Sequence, residues 1–462
     1  MIIAAAAALL SLSSATTLTP CTLSHPQGGR EPARCGVVVT DALQRDGKPV
    51  EVGFAVLRAT GSKPSTTPLL MLAGGPGQAA TRDFVPLMPI IDRLRADRDI
   101  ILVDVRGTGR STPVICKDER PIAVRLAASA DGGEDDELLR RCFAELPIDP
   151  AKLTTADNVA DLERVRVAVG ANRWHVLGVS YGTRLAVAYD AAFHEHTASL
   201  ILDGVAPLDR PLGADIGADN SASLTSLGDD VVTAFVALRD RLRTTPVNVA
   251  VRHPSTGAPL DLTVTADLVT GATRMLLYSD ETRAILGHLL RTANAGDLVP
   301  FATVAVLTAG SVDDAIHVPV NLATICAEDV PFLTKQPPPP TPPLFADDVA
   351  GMRKSCAAFT PAKRQQVPAA ATTTTTLLLS GQFDPITPPR HVERVLSLFP
   401  NGRHVVLKGM GHNVLPRGCV AALVDDSLAL VDEGKDLATV DVDCAARVDA
   451  FPAFIDALGP TP

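Results

Sequence analysis

Apolar residues along this chain fall in short runs that alternate with segments of helical spacing. Between residues 37 and 57 brief alternating runs read as strands that turn at Asp46-Gly47. The run 68–73 is continuously apolar and stops at Gly74-Gly75-Pro76-Gly77, and the run 99–104 ends in Arg106-Gly107-Thr108-Gly109. Val159, Leu162, Val165 and Val169 share one face of a helix predicted over 155–169, with Thr155 as its N-cap. A strand over 174–178, a helical segment over 180–193 and a strand over 200–203 follow. Apolar strands alternating with helices predict a mostly parallel sheet covered on both faces, an α/β fold.

The alternation breaks off at about residue 209 and resumes at about 371. Between these points the spacing predicts helices over 221–243 and 281–295 and a polar hairpin around 253–257. The proline run 336–343 fits neither helix nor central strand and reads as a stiff extended connector. This stretch is therefore expected to be an inserted, largely helical lid. Beyond it, β-branched residues over 372–380 predict a strand, 389–398 a helix and 404–407 a further strand. The expected organisation is a signal peptide over 1–15, a first part of the core over 36–208, the lid over 209–370 and the rest of the core over 371–455.

Length and charge narrow the picture. A chain of 462 residues is large enough for one sizeable core with an insertion. Its formal net charge of −10 makes it a poor partner for polyanions, so nucleic acid is not expected. The apolar stretch Met1 to Leu12 is too short to span a bilayer, and Ser13-x-Ala15 resembles a signal-peptide cleavage site, although no Lys or Arg precedes it. Eight cysteines behind such a segment favour disulfides in an oxidising compartment, so the protein is expected to be secreted or periplasmic, without a membrane span. They fall into neighbouring couples: Cys21 with Cys35, Cys116 with Cys142, Cys326 with Cys356 and Cys419 with Cys444. Nearest-neighbour pairing is one of many connectivities that the count allows.

The chemistry centres on Gly178-Val179-Ser180-Tyr181-Gly182. A G-x-S-x-G pentapeptide between an apolar strand and a helix makes a tight turn that lifts the serine oxygen above the sheet, as in the nucleophile elbow of α/β-hydrolases. Ser180 is the expected nucleophile. The base and the acid should follow in the order acid, then histidine. His412, in a glycine-flanked loop after a strand, is the expected base, in preference to His391 and His404 at element starts. Asp384, in the turn after the strand 372–380 and locked by Pro385 and Thr387, is the expected acid; Asp203 is its rival. The backbone N–H groups of Gly75 and Tyr181 are the expected oxyanion donors, since Pro76 has none to give. Asp104-x-Arg106-Gly-x-Gly lacks a phosphate-loop ending and reads as a structural loop, with Arg106 paired to a carboxylate. His194-Glu195-His196 lacks a wider ligand pattern, so no metal is expected; the mechanism requires no cofactor.

Taken together, Gly74-Gly-Pro-Gly77, Asp104-x-Arg-Gly-x-Gly-x-Ser111, Gly178-x-Ser-Tyr-Gly-Thr183, Asp384-Pro-Ile-Thr-Pro388 and Gly411-His412 resemble the tripeptidyl aminopeptidase-like branch of the proline iminopeptidase family of serine peptidases. Asp161-Leu-Glu-x-Val-Arg166 and Leu202-Asp-Gly-Val205 also look like that branch, so the resemblance runs from about residue 35 to 450. One departure is Ala73, where proline iminopeptidases carry histidine, which loosens any strict proline specificity. The resemblance implies an α/β-hydrolase fold with a lid, and hydrolysis of peptides near a free N-terminus through an acyl-enzyme. It also implies an anion for the substrate ammonium, and Glu328 and Asp329 beside Cys326 are the expected substrate-binding residues. The alternative is an esterase or lipase using the same triad; a non-enzymatic binding protein would be expected to have lost a triad member.

Overall fold

Every residue of Leu69–Leu72 and of Ile100–Val103 is buried, because both strands lie inside a sheet covered on its two faces. This computed structural model describes residues 17–26, 28–116, 136–333, 344–345, 349–359, 361, 370–456 and 459. The expected signal peptide and the proline run lie outside them.

The strands are β1 (Thr19–Ser24), β2 (Arg30–Leu43), β3 (Pro49–Leu57), β4 (Leu69–Leu72), β5 (Ile100–Val103), β6 (Trp174–Val179), β7 (Thr197–Asp203), β8 (Val247–Arg252), β9 (Pro259–Val264), β10 (Thr376–Gly381) and β11 (Gly402–Leu407). Nine of them form one sheet in the order β1-β2-β3-β5-β4-β6-β7-β10-β11. The strands from β5 to β11 in that order run parallel, and β1, β2 and β3 pair antiparallel at one edge. Period-two alternation sends Leu69 and Met71 to one face and Leu70 and Leu72 to the other. The first face is covered by the helices Met88–Asp97 and Val420–Asp432, the second by Thr155–Val169, Tyr181–Ala192 and Pro389–Val395.

Several elements differ in detail from the sequence expectation. The helix Thr155–Val169 is capped by Thr154, whose side chain accepts the Asp157 N–H; Thr155 is its first residue. The stretch 221–243 belongs to two helices, Ile216–Thr225 and Asp229–Thr244, parted at Gly228 with φ of +115°. The strand expected over 372–380 is regular only from Thr376; before it the Thr372 hydroxyl accepts the Thr374 N–H, and the Thr374 hydroxyl donates to Asp190.

Between β7 and β10 the chain leaves the sheet. The helices Ile216–Thr225, Asp229–Thr244, Ala266–Leu276, Asp280–Asn294 and Val299–Ala315, with the β8–β9 hairpin, enclose a hydrophobic core of their own around Phe235, Leu290 and Phe301. The helix Val318–Glu328 does not join that core. Val320 and Ala323 pack instead with Val50, Val114 and Phe143 of the sheet-bearing part. All eight cysteines are paired as nearest neighbours: Cys21–Cys35, Cys116–Cys142, Cys326–Cys356 and Cys419–Cys444.

Candidate active site

Ser180 joins β6 directly to the helix Tyr181–Ala192 and sits at φ +56°, ψ −123°, outside the regions that ordinary residues occupy. Its glycine neighbours are required by space. A Cβ on Gly178 would stand 2.3 Å from the Gly182 carbonyl oxygen, and one on Gly182 would stand 2.5 Å from that of Leu72. Such strain at a strand-to-helix turn marks a position held for function.

His412 lies in the loop after β11. Its Nδ1 is 2.8 Å from Asp384 Oδ2, and both side chains are buried. Asp384 also accepts the N–H groups of Ile386 and Thr387 and the Thr387 hydroxyl, which itself lies 3.1 Å from His412 Nδ1. Burial opposes a charge on His412, but the Asp384 carboxylate, its hydrogen bond and the Asp203 charge outweigh it and hold the imidazole above its ordinary pKa. Burial likewise opposes the Asp384 charge, and the facing imidazolium and the N–H donors win, so its carboxyl is held below the usual range. A base oriented by a buried, fully hydrogen-bonded carboxylate is the arrangement of a nucleophile-activating triad.

Asp203, the other acid considered, occupies a different place. Its carboxylate accepts the N–H groups of Val414 and Leu415, just beyond His412, at 3.0 and 2.8 Å. Burial pushes its carboxyl up to about 6. His391 and His404 face Asp219 and Ser380, and neither is hydrogen-bonded to Asp384.

The turn 74–77 packs against Ser180. A Cβ on Gly74 would lie 2.9 Å from the Ser180 Cβ, and Gly75 and Gly77 have φ of +104° and +100°. Among the described residues, neither the Gly75 N–H nor the Tyr181 N–H has a protein acceptor. For Tyr181 the cause is its place as the first residue of its helix, where no intrahelical acceptor exists.

The insertion grips this centre at two points. His317 donates its N–H to the Gly77 carbonyl at 2.9 Å, and Asn321 Nδ2 donates to the Pro76 carbonyl at 3.0 Å. On the other side the Tyr278 carbonyl accepts the His412 N–H at 3.1 Å, and its ring meets the imidazole edge-on. Asp280 accepts the Gly411 N–H. These contacts come from residues remote in sequence, and no local pattern marks them.

Glu328 and Asp329 end the helix Val318–Glu328. Both are buried inside protein hydrogen bonds and are not presented as open ammonium partners. Glu328 accepts the Thr155 N–H at 2.7 Å and the Thr155 hydroxyl at 2.6 Å, and that hydroxyl accepts from the Tyr181 phenol. Burial pushes the Glu328 carboxyl up against these bonds. Asp329 pairs with Arg184 at 2.8 Å and accepts the Leu212 N–H.

The remaining motifs are structural. Asp104 accepts from Thr81 and from the Arg110 N–H, folding its own loop, and Arg106 is paired with Asp161 and Asp157. His194 rests on Asp190 and His196 on Glu163. Among the described residues no group of three or more His, Cys, Asp or Glu side chains could hold a metal ion.

Sequence comparison agrees with the sheet order and the elbow. Residues 67–236 match the alpha/beta hydrolase fold family. The chain has the α/β-hydrolase fold. Residues 342–433 of the chain match the TAP-like protein family. It is 30% identical over 218 residues to Serine protease Hip1 of Mycobacterium tuberculosis, a match covering 43% of this chain and 41% of the relative. It is 28% identical over 192 residues to a tripeptidyl aminopeptidase of Streptomyces coelicolor, covering 38% and 35%. A proline iminopeptidase of Xylella fastidiosa is 33% identical over 152 residues, covering 32% and 35%. The chain thus aligns with less than half the length of each of these relatives.

Proposed function

We propose that this protein is a serine peptidase, an aminopeptidase that cleaves peptides near their free N-terminus through an acyl-enzyme. The observation that carries the reading is the buried Asp384–His412 pair, 2.8 Å apart, whose loop is tied through Asp203 to the strained elbow serine. In the proposed reaction His412 takes the Ser180 proton as Oγ bonds to the scissile carbonyl carbon. The N–H groups of Gly75 and Tyr181 hold the oxyanion. The C–N bond breaks as His412 gives the proton to the leaving nitrogen, and water then releases the acyl group. The names of the relatives favour peptides as substrates, and four disulfides favour an extracellular or periplasmic home. Among the described residues no helix is long and apolar enough to cross a membrane.

Glu328 is the proposed partner of the substrate ammonium, which would have to take it from Thr155. That requirement is also what favours the second reading, an esterase with the same triad, since Glu328 and Asp329 are already partnered within the protein. A tripeptide chromogenic amide with a free amine, compared with its N-acetylated form, separates the two. The aminopeptidase reading expects the free amine to be strongly preferred and the preference to shrink in Glu328→Gln. Equal rates, or cleavage of simple esters alone, would leave the esterase. Ser180→Ala should abolish both activities with the fold intact.

A further inference from the structure

A cavity of about 230 Å³ opens between the oxyanion turn and the His412 loop. Phe84, Leu87, Val179 and Leu415 give it an apolar wall, and His412 and Asn413 complete one side. The charged groups that reach it already have partners within the protein. Asp83 is taken by Arg82 at 2.7 Å and by the Ala79 N–H at 3.0 Å. Arg417 is taken by Glu281 at 2.6 Å and by Asp280 at 2.9 Å. Asp203 is held by the Val414 and Leu415 N–H groups. A charged side chain entering this space would lose its hydration and gain no counter-ion, so the cavity selects against charge.

Two buried polar atoms of the lining residues make no hydrogen bond: Arg417 Nε, which lies 2.9 Å from the Asp280 carboxylate, and an acceptor on Asn413. Asn413 Oδ1 is buried and has no hydrogen-bond partner among the described residues. Asn413 is also held at φ +65°, which keeps its amide beside Gly204 and the His412 ring. A buried acceptor without a donor is destabilising, and an incoming N–H relieves it.

The side of the scissile bond follows from the chemistry. The acyl part stays on Ser180, whereas the leaving nitrogen must meet His412 to receive its proton. The cavity is walled by His412 and by residues that follow it in the same loop. We propose that this cavity receives the residue on the amine side of the scissile bond, that this residue is uncharged and apolar, and that Asn413 Oδ1 accepts an N–H from it. The proposal rests on the serine-peptidase reading and deepens it.

The test uses the full chain and a series of peptides with one acyl part and Leu, Phe, Gly, Lys or Glu as the leaving residue, beside the p-nitrophenyl ester of the same acyl part. Leu and Phe should exceed Gly, Lys and Glu in kcat/KM by at least about tenfold. Leu87→Trp, which fills the cavity, should narrow that gap. Asn413→Gly keeps the left-handed backbone and removes the acceptor; it should lower the ratio of peptide to ester rates about fivefold. Peptide cleavage at rates indifferent to the leaving residue, or unchanged ratios in both variants, would overturn the subsite alone. Ester hydrolysis with no peptide cleaved would overturn the peptidase reading itself.

Discussion

Asp203 binds Ser180 through its backbone and the His412 loop through its side chain. Its carbonyl accepts the Ser180 N–H at 2.9 Å, and its carboxylate accepts Val414 and Leu415 at 3.0 and 2.8 Å. One residue at the end of β7 thus fixes the distance between the expected nucleophile and the expected base. In Asp203→Asn one carboxylate oxygen becomes an NH₂ facing an N–H. The His412 loop should shift, with kcat lowered about tenfold or more and KM little changed, measured by steady-state kinetics on one substrate.

Asp203 and Asp384 should also act on stability with opposite sign. The folded pKa of Asp203 is about 6, above the unfolded value near 3.8, so the native state binds its proton more tightly. Its contribution is unfavourable at neutral pH, and the penalty is relieved as pH falls from about 6 to about 4. Asp384 is lowered, so its contribution is present above the unfolded pKa and is lost as pH falls through the folded one. Thermal unfolding of Ser180→Ala from pH 4 to pH 7 should therefore lose its mild acid-side gain when Asp203→Asn is added.

His412 must be neutral to accept a proton. Because its pKa is raised, the acid limb of kcat/KM should fall through an inflection above the ordinary histidine value near 6.5. Asp384→Asn removes the charge that raises it. The inflection should then move to lower pH, and kcat should drop by about 10³–10⁴ as the wrong tautomer is favoured. An inflection that stays in place would mean that another group titrates.

Gly204 has φ of +65°, and a Cβ there would meet Thr387 Oγ1 at 3.0 Å and His412 Cε1 at 3.2 Å. Gly204→Ala should displace the imidazole and cut activity well beyond its effect on stability, a cost of roughly 1 kcal/mol for the left-handed backbone. Paired activity and denaturant-unfolding measurements separate the two effects.

Asn321 holds the Pro76 carbonyl in the turn that carries Gly75. Asn321→Ala removes a hydrogen bond worth about 0.5–1.5 kcal/mol, so the fold should persist while kcat falls several-fold. A matching loss in Tm with kcat unchanged would make Asn321 a structural residue only.

The sheet, the elbow and the His412 loop were legible because each is encoded locally. Continuous apolar runs marked β4 and β5, and Gly178 is demanded by the Gly182 carbonyl four residues on, although Gly182 is demanded by Leu72 on a strand far along the chain. Asp384 was preferred to Asp203 because Pro385 and Thr387 advertise a fixed loop, and Thr387 does bind Asp384. What was not legible depends on contacts between distant segments. Glu328 and Asp329 are acidic residues beside a cysteine, and nothing local shows that Thr155 and Arg184 occupy them. The docking of Val318–Glu328 on the sheet-bearing part was hidden for the same reason. Its apolar face fits either core, and Val50, Val114 and Phe143 come from far along the chain.

The insertion holds the His412 loop through Tyr278 and Asp280 and the turn at Gly77 through His317 and Asn321. It is therefore not an interchangeable part. A chimera that exchanged it for another protein's insertion would lose the supports of both the His412 loop and the turn 74–77, however well the new segment folded. Selectivity in this scaffold is better redesigned by side-chain changes in place than by swapping whole segments.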